Sequence, residues 1–200
     1  MVKAIFFDMG GVLVTDLFPL MESYLSGITG IPFPKIKEVR KRYWLDYELG
    51  RMGGVEFFQR QISDLGVGLN AEELLVRSRS FIKVKEEVLD VVKRIRALGM
   101  YGVGVISNNS SEWAEYTRDD LGLGGYFDAW VISCDVHVKK PDKDIYLIAA
   151  ERLGLRPIDC VFIDNKERNV QGAEAAGMKG ILFKDVELLR EMLRKSGVDV

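Results

Sequence analysis

Histidine and cysteine are scarce in this sequence, with one His and two Cys in 200 residues. A Ser-His-Asp or Cys-His arrangement could draw only on His137, which lies in "DVHVKKPD" with no nucleophile signal beside it and reads as a surface residue. Cys134 and Cys160 make no metal-type pair; both stand in apolar, strand-like stretches and read as buried, inert thiols. A long apolar run is missing too: no segment reaches the ~20 residues a bilayer span needs. The N-terminus runs straight into a strand, without a signal-peptide apolar core, so a cytoplasmic location is expected. Charge of one sign is also lacking, the net value being −2. Short basic clusters such as "KIKEVRKR" (35–42) alternate with apolar residues at helical spacing and read as a solvated helix face. These absences point away from nucleic acid and membrane; monomer and homodimer both stay open.

What is present is an ordinary globular composition, 48% apolar and 29% charged, in a length suited to one domain with a modest insert. Three short apolar runs end in a polar residue: "KAIFFD" (3–8), "YGVGVIS" (101–107) and "DCVFID" (159–164). Two more, "FDAWVIS" (127–133) and "GILFK" (180–184), lack so clear a polar tip. Runs this short and continuous fit parallel strands buried on both faces. Helix-period segments separate them, at about 86–98, 111–121, 142–153, 167–176 and 186–195. Gly99 and Gly177 stand where C-terminal glycine caps belong. The alternation predicts an α/β fold with a doubly wound parallel sheet.

From Asp16 to about Val84 the alternation stops. "LFPLMESYLSGI", "FPKIKEVRKRYWLDYEL", "GVEFFQRQISDLG" and "NAEELLVRSRSF" read as four amphipathic helices separated by Gly and Pro. Asn70 with Glu73 resembles a capping box. The expected organisation is therefore a core of residues 1–15 and 85–200 carrying a helical cap, 16–84, that leaves the sheet at the tip bearing Asp8. Tyr43, Trp44 and Tyr47 in this stretch are candidates for substrate contact, although aromatics at that spacing also serve as core.

In open α/β sheets, ligands bind at the carboxyl ends of the strands. The sequence puts Asp8, Ser107-Asn108-Asn109 and Asp164-Asn165 there, with "KKPD" (139–142) after the fourth strand. Pro141 is expected in the first turn of the next helix, holding Lys140 at its mouth. Each feature alone has a structural explanation, as a helix cap, a turn or an exposed lysine. Their convergence on one edge, in this order, is harder to explain that way.

Together they resemble the haloacid dehalogenase (HAD) superfamily, with a helical cap inserted after the first strand, over essentially the whole chain. "FFDMGGVLV" matches motif one, with Asp8 as nucleophile; "VGVISN" motif two, with the Ser107 hydroxyl and Asn108 as phosphate-binding groups; the lysine of "KKPDKDIY" motif three, aligned on Lys140 as a catalytic, phosphate-binding cation; and "VFIDNKERN" motif four, with Asp164 as acidic metal ligand. "DYELGRMGGVEFF" (46–58) is similar to the cap of this subgroup. The resemblance implies a Rossmann-like core and a Mg²⁺-dependent phosphatase working through an aspartyl-phosphate on a small phosphorylated metabolite. Mg²⁺ takes oxygen ligands and few of them from protein; by resemblance these are the Asp8 carboxylate, the Gly10 backbone carbonyl and Asp164. Asn165 replaces a frequent second aspartate and is left to contact metal-bound water.

Motif one departs from the commoner pattern at Gly10, where a second aspartate usually serves as general acid/base. Such a group is worth ~10² to 10⁴ in rate. Three remedies are open: an activated leaving group, Asp16 just after the strand, or a cap carboxylate such as Asp46 or Glu48. Gly10 also leaves room for a metal-free 2-haloacid dehalogenase, which lacks an acid at that place, and Gly10 with Asn165 for a non-catalytic HAD-fold binding protein. A phosphonate-cleaving enzyme would need a cap lysine, and nothing singles out Lys35, Lys37 or Lys41.

Overall fold

The computed structural model describes all 200 residues. Five strands, β1 (Ala4–Phe7), β2 (Gly102–Ser107), β3 (Ala129–Ile132), β4 (Cys160–Asp164) and β5 (Lys179–Leu182), form one parallel sheet in the order β3-β2-β1-β4-β5. The most apolar run is central, with Phe7 level with Val105 on one side and Ile163 on the other. Side chains alternate between faces. Ile5 and Phe7 join Val103, Val105, Val161 and Ile163 in one apolar cluster, whereas Ala4 and Phe6 join Ile106, Cys160 and Phe162 in another. Helices α5 (Glu86–Ala97) and α10 (Val186–Lys195) cover the first face; α8 (Lys143–Arg152) and α9 (Glu167–Ala175) cover the second. Gly99 and Gly177 take the expected left-handed φ, 66° and 95°.

The stretch between β1 and α5 folds into α1 (Leu17–Thr29), α2 (Phe33–Glu48), α3 (Gly54–Leu65) and α4 (Ala71–Arg79). Asn70 caps α4, its Oδ1 accepting from Glu73 N at 3.1 Å. The chain enters and leaves these helices along paired segments: Thr15 N donates to Lys83 O and Lys85 N to Leu13 O, both at 2.9 Å. Their inner faces continue the cluster on the first face of the sheet, including Met21, Ile36, Tyr47, Phe57 and Leu74.

Three local expectations change. The helix after β2 is α6 (Ser111–Glu115), which widens into one π-helical turn (Tyr116–Asp120). A further short helix, α7 (Ser133–Val136), follows β3 directly. Pro141 does not open the next helix: Lys140–Pro141 is a cis peptide and α8 begins at Lys143 after Asp142. The turn packs tightly on α9, since a Cβ on Gly172 would lie 2.6 Å from Pro141 O.

Candidate active site

Parallel strands end together, so the polar residues after β1, β2 and β4 meet at one edge. Asp8 follows β1 directly, its N–H donating to Ile163 O at 2.8 Å. Ser107 ends β2 and Asp164 ends β4. Lys140 arrives from the turn before α8 and is only 1% exposed. Its Nζ donates to Asp8 Oδ1 at 2.7 Å, to Asp164 Oδ2 at 2.7 Å and to Ile106 O at 2.8 Å. The three protons of the ammonium are thus all used, and the Phe162 ring lies 5.1 Å away.

Asn108 fixes this lysine: its Oδ1 accepts from Lys140 N at 2.8 Å and its Nδ2 donates to Lys140 O at 3.0 Å. Both ends of the amide are therefore spent on the lysine backbone. Asp164 is held by Lys166 N at 2.7 Å and by Asn169 Nδ2 at 2.9 Å. Sequence spacing does not single out Asn169; it stands five residues after Asp164, inside a helix whose start a strand-end reading does not resolve.

Burial dominates the electrostatics of Asp8. It raises the carboxyl pKa, Lys140 opposes it, and the neighbouring Asp164 charge raises it further. One ammonium thus faces two buried carboxylates, leaving the centre an excess of negative charge that suits a second cation. No three His, Cys, Asp or Glu side chains stand together as a metal cluster, so an ion here would have to rest on one or two carboxylates and backbone or amide oxygen. The Gly10 carbonyl accepts no hydrogen bond from the chain, and the buried Oδ1 atoms of Asn165 and Asn169 have no partner. These are oxygen donors of the kind Mg²⁺ takes. Gly11, with φ 84°, lets the chain turn here; a Cβ on it would stand 2.2 Å from Asn165 Nδ2.

Asp8, Ser107, Asn108 and Lys140 line a cleft of about 720 Å³, counting its open mouth. Phe18, Trp44 and Glu48 from the helical segment form its wall opposite the strand ends. Gly10 lies at the cleft as well, and a Cβ there would meet nothing within 4 Å. No neighbour has filled the place of the missing side chain. Asp16 also reaches the cleft, but it is exposed and caps α1, its Oδ1 accepting from Phe18 N at 3.4 Å. Asp46 is half-exposed beside Arg51, at 3.3 Å, and stands outside the cleft. Trp44 lies in the wall, Tyr47 is buried in the core, and Tyr43 donates to Asp64 on the outer side.

His137 is exposed, as expected of a surface residue, with Nδ1 2.9 Å from Leu49 O. Both cysteines are buried free thiols; burial pushes Cys134 up to about 12 and Cys160 up to about 11. Neither is a nucleophile near neutral pH. No helix is long and apolar enough to cross a membrane.

Known proteins resemble this chain in sequence and fold. The chain fits the haloacid dehalogenase-like hydrolase family over residues 2–177. It is 30% identical over 164 residues to a fructose-1-phosphate phosphatase of Escherichia coli, covering 76% of this chain and 86% of that protein. It is 26% identical over 195 residues to flavin mononucleotide hydrolase 1 of Arabidopsis thaliana, covering 97% and 77%. Among solved structures, a HAD family enzyme of Bacteroides thetaiotaomicron in complex with magnesium and inorganic phosphate superposes with a TM-score of 0.73 at 19% identity, covering 92% and 95%.

Proposed function

The chain belongs to the haloacid dehalogenase-like hydrolases, and from that premise we propose a Mg²⁺-dependent phosphatase acting on a small phosphorylated metabolite through an aspartyl-phosphate. The observation that carries the reading is Lys140 Nζ, 2.7 Å from both Asp8 and Asp164 at the base of a cleft lined by Ser107. In the same reading residues 16–84 form a cap on a core of 1–15 and 85–200. The named phosphatases among the relatives support the reaction class.

Each residue has a task. Asp8 attacks phosphorus and the bond to the ester oxygen breaks, the leaving oxygen taking its proton from water; a second water then cleaves the acyl-phosphate, releasing inorganic phosphate and freeing the Asp8 carboxylate. Attack of an anion on an anion requires charge neutralised around the phosphoryl oxygens. Lys140 supplies a fixed positive charge, and the Ser107 hydroxyl a hydrogen bond. Asn108 keeps Lys140 in register with Asp8. Asp8, the Gly10 carbonyl and Asp164 would hold Mg²⁺, which supplies further positive charge beside the transferring group.

Purified protein should release phosphate from an aryl phosphate, and EDTA should abolish the release. Asp8→Asn should lower kcat/KM by roughly 10³-fold or more, as loss of a covalent nucleophile does. Turnover that survives EDTA, or an Asp8→Asn enzyme as active as the parent, refutes the proposal. Gly10 favours a metal-free 2-haloacid dehalogenase as second reading; chloride release from 2-chloropropionate in EDTA would establish it.

A further inference from the structure

A carboxylate outside the phosphoryl machinery faces the same cleft under unfavourable conditions. Glu48 is the last residue of α2, where the helix dipole disfavours negative charge, and its side chain is 4% exposed. Taking a carboxylate out of water is costly unless partners satisfy both of its oxygens. Its one charged partner is Lys139, whose Nζ lies 3.2 Å from Oε1. Oε2 takes no hydrogen bond from the protein, and the residue lines the cleft that contains Asp8. Glu48 is thus a buried carboxylate facing the cleft from outside the Asp8–Lys140–Asp164 set.

The backbone around it is held to the sheet edge. Ser133 Oγ donates to Glu48 O at 2.5 Å and also accepts from Asn109 N at 3.0 Å. A Cβ on Gly50 would stand 2.6 Å from Cys134 O, so the end of α2 sits directly on the segment after β3. Glu48 is therefore fixed relative to Ser107-Asn108-Asn109. Phe18, Trp44 and Trp113 line the cleft too, their rings 4.5 to 6.1 Å apart.

With Lys139 on one oxygen, the other is an open acceptor in a cleft that these aromatic side chains also line. That combination recognises a carbon skeleton bearing hydroxyl donors, and it repels a second anionic group. The wall cations, Lys166 and Arg168, come from the segment after Asp164, and Lys166 acts on Asp8 itself. Resting on the phosphatase reading, we infer that Glu48 is the specificity-determining residue of this site: it binds a hydroxyl of the leaving half and selects phosphate esters of polyols or sugars over hydroxyl-free or carboxylated ones.

The test compares glycerol phosphate, propyl phosphate and phosphoglycolate. The parent enzyme should prefer glycerol phosphate over propyl phosphate at least tenfold in kcat/KM. Glu48→Ala should collapse that ratio by about 10- to 100-fold, chiefly through KM, as loss of a hydrogen bond to a charged acceptor does. Glu48→Gln, which keeps the shape, should shift preference toward phosphoglycolate. Calorimetry on Asp8→Asn reads the same preference without turnover, so it decides the inference even if no phosphate is released and the phosphatase reading fails. A preference ratio unchanged in both Glu48 variants, or a parent protein that favours phosphoglycolate, overturns the inference.

Discussion

Two buried regions meet at the cleft and are built on opposite principles. Below it, Lys140, Asp8 and Asp164 form an ionic centre at 1%, 4% and 0% exposure. Beside it, Trp113 of α6 gathers Phe18, Trp44, Tyr47, Phe57 and Phe58 of the helical segment, with ring centroids 5.2 to 6.4 Å from its own. Aromatic burial is among the largest favourable contributions a side chain makes. A buried ion set is at best a weak source of stability, because desolvation offsets the attraction. The difference teaches where each job is done: the rings join helices to sheet, and the ions are kept for chemistry.

Substitutions that exchange the expected signs would break this comparison. Trp113→Ala carries the largest effect on stability. It removes the hub of the cluster and leaves Ser78 Oγ, 2.7 Å from the indole Nε1, without its donor. A loss of about 3–5 kcal/mol is expected, read as a lower urea midpoint. A loss below about 1 kcal/mol would mean that the helices are held to the sheet elsewhere.

Asp8→Asn should move stability the other way while abolishing activity. The folded pKa of Asp8 is raised, so between its unfolded and folded values the native state binds more protons than the unfolded chain. Stability therefore falls as pH rises through that window, by about 1.4 kcal/mol for each pH step of one crossed. With EDTA present, Asp8→Asn should match the parent near pH 3 and exceed it at pH 7. An Asn variant less stable than the parent at pH 7 would show that the ion pair with Lys140 outweighs burial.

The two regions also differ in how far the sequence discloses them. Continuous apolar runs with polar tips fit strands buried on both faces, and parallel strands end at a common edge; Asp8, Ser107 and Asp164 are legible for that reason. Lys140 is legible by its place after the fourth run, but its three bonds depend on a cis turn that no periodicity reveals. In the helical segment the period of 3.6 marks four amphipathic helices without stating which partners their faces meet. Trp44 and Tyr47 lie one turn apart on α2, yet only Trp44 reaches the cleft. Glu48 and Asp16 look equivalent in sequence as spare carboxylates; tertiary contacts leave Asp16 as a helix cap and turn Glu48 inward.

The smallest expected effect tests the seam between the regions. Helix α3 starts at Gly54 after Gly53, neither of which offers a capping side chain, so its first N–H groups lack a local acceptor. Glu112, on α6 next to Trp113, supplies one: its Oε1 accepts from Gly54 N at 2.6 Å, and its Oε2 from the Tyr47 hydroxyl at 3.2 Å. The carboxylate also sits at the positive end of the α3 dipole. The cap thus comes from a different part of the chain and needs the aromatic cluster to bring it there. Glu112→Ala should cost about 1 kcal/mol, as loss of a helix cap does. Combined with Trp113→Ala it should add almost nothing, because without the ring the cap is no longer placed. Independent, additive losses in a double-mutant cycle would show that cap and cluster act separately.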